Sequence, residues 1–141
     1  AGEDNYFIKG DKIITFEIDD VVFSCAICYD TRFPELFQAI SKNEAVKAIV
    51  IPANWPAKRA EHWKALTKAR AIENQSYVIG VNRTGIDKKG YTYKGSTIAI
   101  DYQGDAMSRA NDETEEIIYA TLDKEALKQY RDKFPVALDW D

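Results

Sequence analysis

Three apolar runs, residues 21–27, 46–51 and 76–81, are separated by two segments with helical spacing. That alternation constrains the fold more than any other feature. Each run is rich in Val and Ile, and reads as a strand buried within a sheet. Residues 12–18 form a further β-branched run, and Asp19 and Asp20 supply a turn, so 12–18 and 21–27 are expected to make a hairpin. Between the buried runs, Leu36, Phe37 and Ile40 share a face of a helix over 34–42, with Pro34 in its first turn. A second helix is expected over 59–74, where Ala, Lys, Arg, Glu and Leu dominate and Trp63, Leu66, Arg70 and Glu73 fall at helical spacing. The strand at 46–51 is expected to stop at Pro52. Residues 83–95 carry three glycines and read as a surface loop.

Downstream, 96–100 and 116–121 read as two more strands, Asp123 as the N-cap of a short helix to about Tyr130, and the last eleven residues as an extended tail. The expected fold is therefore α/β, a mixed sheet with helices on at least one face. Few residues remain to cover the sheet's other face, which points to a missing half or to a partner.

At 141 residues the chain has the length of one domain at most. Its 45% hydrophobic content supports a packed core. A net charge of -4 gives no electrostatic reason to expect nucleic acid or an anionic membrane as partner. No apolar run approaches the ~20 residues that span a bilayer. The acidic start lacks the pattern of a signal peptide and an initiator Met. Two cysteines make no disulfide framework, and a reduced, cytoplasmic setting is the simplest expectation.

The chemistry concentrates at residues 27–35. Cys28 follows a buried strand and precedes a helix, a place where nucleophiles are presented and where the next backbone N–H, that of Tyr29, can donate to a developing oxyanion. A small buried structural cysteine would look the same, and Cys25, in mid-strand between apolar neighbours, fits that description. His62 is the one histidine, so a Cys28–His62 dyad is open by composition. The spacing of Cys25 and Cys28 formally matches a redox motif, although such motifs open a helix and Cys25 lies inside a strand.

Five ordered segments carry a resemblance. Residues 27–35, the Asn54-Trp55-Pro56 loop, residues 70–78, residues 81–85 and residues 95–97 resemble the motifs of the nitrilase superfamily, nearest to its omega-amidase and carbon–nitrogen hydrolase branch. The resemblance implies an α-β-β-α sandwich, usually paired into a homodimer or higher homo-oligomer. It implies hydrolysis of small-molecule amides through a Cys–Glu–Lys triad and a thioester, without metal or organic cofactor. Cys28 matches the nucleophile. The general-base Glu and the Lys would lie N-terminal to the matched region, so residues 1–141 would be the C-terminal portion of the domain, inactive alone. Glu3 resembles a second glutamate near the substrate. Asn54 and Trp55 are expected to wall the substrate pocket, and Asn82 and Arg83 to hydrogen-bond beneath it. Arg32 with Glu35, and Arg70 with Glu73, are expected to pair. A binding or scaffold module that keeps this fold without its chemistry is the alternative.

Overall fold

The computed structural model describes residues 2–140, and the side chain of Glu3 lies outside the described part. A six-stranded mixed sheet organises the chain, in the order β1-β2-β3-β4-β7-β8. Strands β1 (Thr15–Ile18) and β2 (Val21–Cys25) form the expected hairpin around Asp19 and Asp20, both at positive φ. Strand β2 then pairs in parallel with β3 (Val46–Ala53), and β3 in parallel with β4 (Tyr77–Asn82). Helices α1 (Pro34–Ser41) and α2 (Ala60–Glu73) make the two crossovers. Strands β7 (Ile98–Ile100) and β8 (Ala106–Arg109) continue the sheet antiparallel.

Periodicity places the core. Ile49 and Ile51, alternate residues of β3, pack with Val46 at its start, Val78 of β4, and Phe37, Ile40, Trp63 and Ala71 of the two helices in one buried cluster. Trp63 is fully buried and its indole N–H donates to the Ser96 carbonyl at 2.9 Å. Its ring lies so close to β4 that a Cβ at Gly80 would stand 2.7 Å from Trp63 Cζ2. Gly80 is thus where helix and sheet meet backbone to ring.

The opposite face is covered at one end only. Helix α3 (Lys124–Lys133), capped by the Asp123 carboxylate on the Ala126 N–H, lays Leu127 against Ala48 and Tyr77. Arg131 fixes it there, donating to the carbonyls of Gln75, Glu44 and Val46 and to the Ser76 hydroxyl, at 2.9–3.1 Å. Toward the C-terminal ends of the parallel strands the same face is uncovered, with Cys25, Pro52 and Val81 exposed and Phe16 stacked on Phe23 at its margin. Tyr6, Phe7 and Ile8 are exposed as well.

Four expectations change. Strand β3 passes through Pro52, which pairs in register with Val81, and ends at Ala53. Residues 83–95 form a small hairpin, β5 (Thr84–Ile86) with β6 (Thr92–Lys94), closed by backbone bonds between Asp87 and Tyr91 and between Gly90 and Asp87. Residues 116–121 are not a strand: β8 already forms that edge, and Ile117 and Tyr119 are about four-fifths exposed. The tail is not extended throughout, since α3 runs on to Lys133 and a 3-10 turn follows at Val136–Asp139.

Replacing Gly80 by Ala drives a methyl group into the rigid Trp63 ring. Overpacking of this kind costs about 1–3 kcal/mol. G80A should lower the unfolding free energy by that amount, seen as a lower urea midpoint at unchanged m-value, and an unchanged midpoint would show that the ring has room to move.

Candidate active site

The three parallel strands end side by side, and the loops that follow β2 and β3 lie along one edge of the sheet. In open α/β sheets this edge, beyond the carboxyl ends of the strands, is where ligands are bound. Strand β2 ends at Cys25, two residues earlier than the sequence suggests. The chain turns through Ala26, still bonded to the Val50 carbonyl at 3.1 Å, and enters a 3-10 turn at Cys28–Arg32.

Cys28 opens this turn with φ of +44°, in the left-handed region that side chains other than glycine seldom occupy. A strained residue at a strand-to-helix elbow pushes its side chain out of the fold. Three contacts hold the strain. The Asp30 carboxylate accepts from the Ile27 N–H at 2.8 Å, and the Asp30 N–H donates to the Ile27 carbonyl at 2.9 Å. Arg70, buried on α2, donates through Nε to the Thr31 carbonyl at 2.9 Å. The same guanidinium pairs with Glu73 at 2.5 Å and lies over the Phe37 ring. The turn's hydrogen bonds begin at Asp30, so the Tyr29 N–H has no acceptor within it.

The neighbouring wall comes from the loop after β3. Trp55 is buried, and its main chain is clasped by the Asn82 carboxamide at the end of β4. The Trp55 N–H donates to Asn82 Oδ1 at 2.7 Å, and Asn82 Nδ2 donates to the carbonyls of Trp55 at 3.2 Å and Gly95 at 2.7 Å. Gly95 sits at φ +71°, where a Cβ would press on Thr84 at 2.8 Å. The Trp55 indole N–H donates to the Arg59 carbonyl at 2.7 Å, tying the loop to the 3-10 turn Ala57–Arg59.

Between these walls lies an open cleft of about 300 Å³. Cys28 and Tyr29 line one side, Asn54, Trp55 and Pro56 the other, with Arg32 and Arg59 at its rim. The structure thus brings together Cys28, Tyr29, Asn54 and Trp55. Glu3 belongs to a 3-10 turn, Glu3–Asn5, and its side chain falls outside the described part. No carboxylate lines the cleft among the described residues.

Several side chains depart from expectation. Arg32 does not pair with Glu35. Its guanidinium lies over the Trp55 ring at 4.7 Å and reaches His62 Nδ1 at 3.5 Å. His62 therefore faces an arginine, and among the described residues no hydrogen bond joins it to Cys28. Cys25 is exposed at the end of β2, not buried in mid-strand, because it falls on the uncovered face of the sheet. Arg83 stacks over Tyr93 at 4.6 Å and stays away from the cleft floor, which Asn82 supports alone. Arg59 went unnoticed in the sequence; its position at the start of α2, four residues past Trp55, is the signal that could have found it. Among the described residues there is no cluster of His, Cys, Asp or Glu suited to a metal, and no helix long and apolar enough to cross a membrane.

Known proteins resemble this chain in sequence and fold. The chain is 37% identical to an omega-amidase of Yersinia enterocolitica over its whole length, covering 54% of that protein. It is 39% identical to a 2-oxoglutaramate amidase of Paenarthrobacter nicotinovorans, with 98% of this chain and 47% of that one aligned. It thus spans about half the length of these relatives. A carbon–nitrogen hydrolase superfamily protein from Xanthomonas campestris, whose structure carries an arsenic adduct in the active site, superposes with a TM-score of 0.91 at 33% identity, over 99% of this chain and 54% of that one. Residues 2–132 match the carbon–nitrogen hydrolase family itself, and the chain belongs to that family, in the nitrilase superfamily with its α/β fold.

Proposed function

We propose that the whole protein hydrolyses the C–N bond of small amides through a thioester on Cys28, as an omega-amidase of the cytoplasm. The observation that carries this reading is the strained elbow. Cys28 stands at φ +44° beside a Tyr29 N–H with no acceptor in the turn, both on one open cleft. A nucleophile and an oxyanion donor on adjacent residues are what acyl transfer requires. The relatives named above support the choice of an amide as substrate.

In this reading a glutamate takes the Cys28 proton and Sγ adds to the amide carbonyl carbon. The Tyr29 N–H and a lysine hold the oxyanion. Its collapse expels ammonia, which takes up the proton, and leaves an acyl thioester. Water, deprotonated by the same glutamate, then releases the carboxylic acid and restores the thiol. Among the described residues neither a glutamate nor a lysine lines the cleft; in this reading residues 1–141 are the C-terminal portion of the domain, and both groups come from chain N-terminal to it. Glu3 then serves near the substrate. The uncovered sheet face, with Val81 and Phe16 exposed, suits the second sheet of a sandwich. Pairing of two such domains into a homo-oligomer belongs to the same proposal.

The nucleophile is tested by intact mass and by ammonia release. Cys28→Ala should reduce turnover to background and abolish the acyl adduct, while Cys25→Ala should keep most of both. Full activity in Cys28→Ala, with the adduct still formed, would overturn the assignment of Cys28 as the nucleophile. The clasp at Asn82 gives a second test. Asn82→Asp keeps the acceptor for the Trp55 N–H but loses both donated hydrogen bonds. Removing buried partners costs about 1–3 kcal/mol per unsatisfied group, so the urea midpoint should fall accordingly. Because the Trp55 wall shifts with it, kcat/KM should drop roughly 10–100-fold, in line with the cost of small misplacements at a reacting centre. A stability loss without loss of kcat/KM would detach the clasp from the site.

A further inference from the structure

We propose that the cavity between α3 and the amino ends of β3 and β4 is a second ligand site, which takes a small organic monocarboxylate carrying a hydroxyl or N–H donor. It lies at the opposite ends of the strands from Cys28, and the inference does not depend on the amidase reading.

The cavity measures about 490 Å³, enough to enclose a small molecule. Its charges do not balance. Lys47, Lys128 and Arg131 line it against Glu44 and Asp132, so one positive charge is in excess. The Asp132 carboxylate is already held by Lys128 at 2.7 Å. Arg131 has no carboxylate partner among the described residues, and most of its N–H groups are engaged by the carbonyls and the Ser76 hydroxyl that fix α3. Lys47 is half-buried and lends one N–H to the Glu44 carbonyl at 2.8 Å, which leaves two for a ligand. Burial holds its pKa below the ordinary lysine range, Arg131 and Lys128 add to the effect, and Glu44 opposes it. A carboxylate set beside Lys47 relieves that repulsion and neutralises the cavity.

Two residues of the wall carry unmatched polar atoms. Ser41 Oγ and Asn74 Oδ1 have no hydrogen-bond partner among the described residues, although Ser41 is only 7% and Asn74 only 3% exposed. A buried polar atom without a partner costs about 1–3 kcal/mol, so a ligand that satisfies it gains what the empty cavity lacks. Asn74 is fixed by Nδ2, which donates to the Arg70 carbonyl at 2.9 Å, and its Oδ1 can only accept. It calls for a hydroxyl or N–H on the ligand. The Ser41 hydroxyl turns about a single bond and can donate to the carboxylate. The outer wall is apolar. Leu138 is 78% exposed although it lines the cavity, and with Pro135 and Trp140 it offers a surface to an apolar body. One negative charge, one donor and an apolar body of about one ring describe the occupant.

4-Hydroxybenzoate has all three features and serves as the probe, while benzoate lacks the donor and 4-hydroxybenzamide lacks the charge. Calorimetry on the whole protein, with the Cys28 thiol carboxamidomethylated to block the cleft, should show one site per chain for 4-hydroxybenzoate. Benzoate should bind about 2–10-fold more weakly, the scale of a neutral hydrogen bond, and 4-hydroxybenzamide roughly 10–100-fold more weakly, the scale of a bond to a charged group. Lys47→Gln should weaken 4-hydroxybenzoate by roughly the same 10–100-fold. Ser41→Ala separates a ligand contact from a structural one. It should weaken the probe about 2–10-fold and leave the melting temperature without probe unchanged or raised, because the hydroxyl it removes has no partner in the protein. Absence of saturable binding would overturn the assignment, and so would binding indifferent to Lys47 and Ser41. A lower melting temperature of Ser41→Ala without probe, at unchanged affinity, would give the hydroxyl to the fold and overturn it equally.

Discussion

Parallel strands that end side by side create a problem at the edge of the sheet. Strands β2, β3 and β4 stop within one layer, and the main chain leaving them carries N–H and C=O groups that no ladder can satisfy. The structure answers with polar side chains drawn from the neighbouring connections. Asp30 closes the turn after β2 on itself, Arg70 ties that turn to α2, and Asn82 at the end of β4 takes both the N–H and the carbonyl of Trp55. None of these groups faces the cleft as a reacting group, yet each determines where a cleft residue stands. The site follows from the requirement to satisfy backbone at this edge.

The strain at Cys28 is intelligible in the same terms. A non-glycine residue in the left-handed region costs about 1–2 kcal/mol. Each of the hydrogen bonds around the turn contributes on the order of 1 kcal/mol, more for those to charged partners. The bonds from Ile27 to Asp30 and from Arg70 to Thr31 both have a charged member, so the turn is over-determined and the strained conformation is the stable one. Thr31, fully buried between them, is where the elbow joins the core.

Most of the framework could be read from periodicity, because the buried strands and both crossover helices have faces that the core requires. Boundaries that depend on single contacts could not. Cys28 looked like a strand end because residues 21–27 are mostly apolar, and apolarity does not reveal that the ladder is lost after Cys25. Residues 116–121 have the β-branched and aromatic content of a strand, but an edge needs a neighbour with free groups, and β8, a short run with Met107 and Arg109, occupies it. The cleft was legible in part for a similar reason. Cys28, Tyr29, Asn54 and Trp55 follow strands directly, so their place is set by topology. Arg32 and Arg59 reach the site through side-chain geometry, and sequence spacing alone favoured an ion pair between Arg32 and Glu35 that the Trp55 ring replaces.

That replacement has a consequence for the electrostatics of the cleft. An arginine paired with a carboxylate contributes little net field, whereas an arginine stacked on an indole keeps its full charge while its position is fixed by dispersion and by the ring quadrupole. By placing Arg32 over Trp55, and by leaving Asp87 bound within its own hairpin, the fold keeps the rim positive without drawing a counter-charge into it. The Asp87 carboxyl shows how complete that commitment is. Desolvation acts to raise its pKa, but the N–H groups of Tyr91 and Lys89, the Tyr93 hydroxyl and the charge of Arg83 together hold it below the ordinary carboxylate range. Protonation that would loosen the hairpin is thereby shifted to more acidic solution than for a free carboxyl.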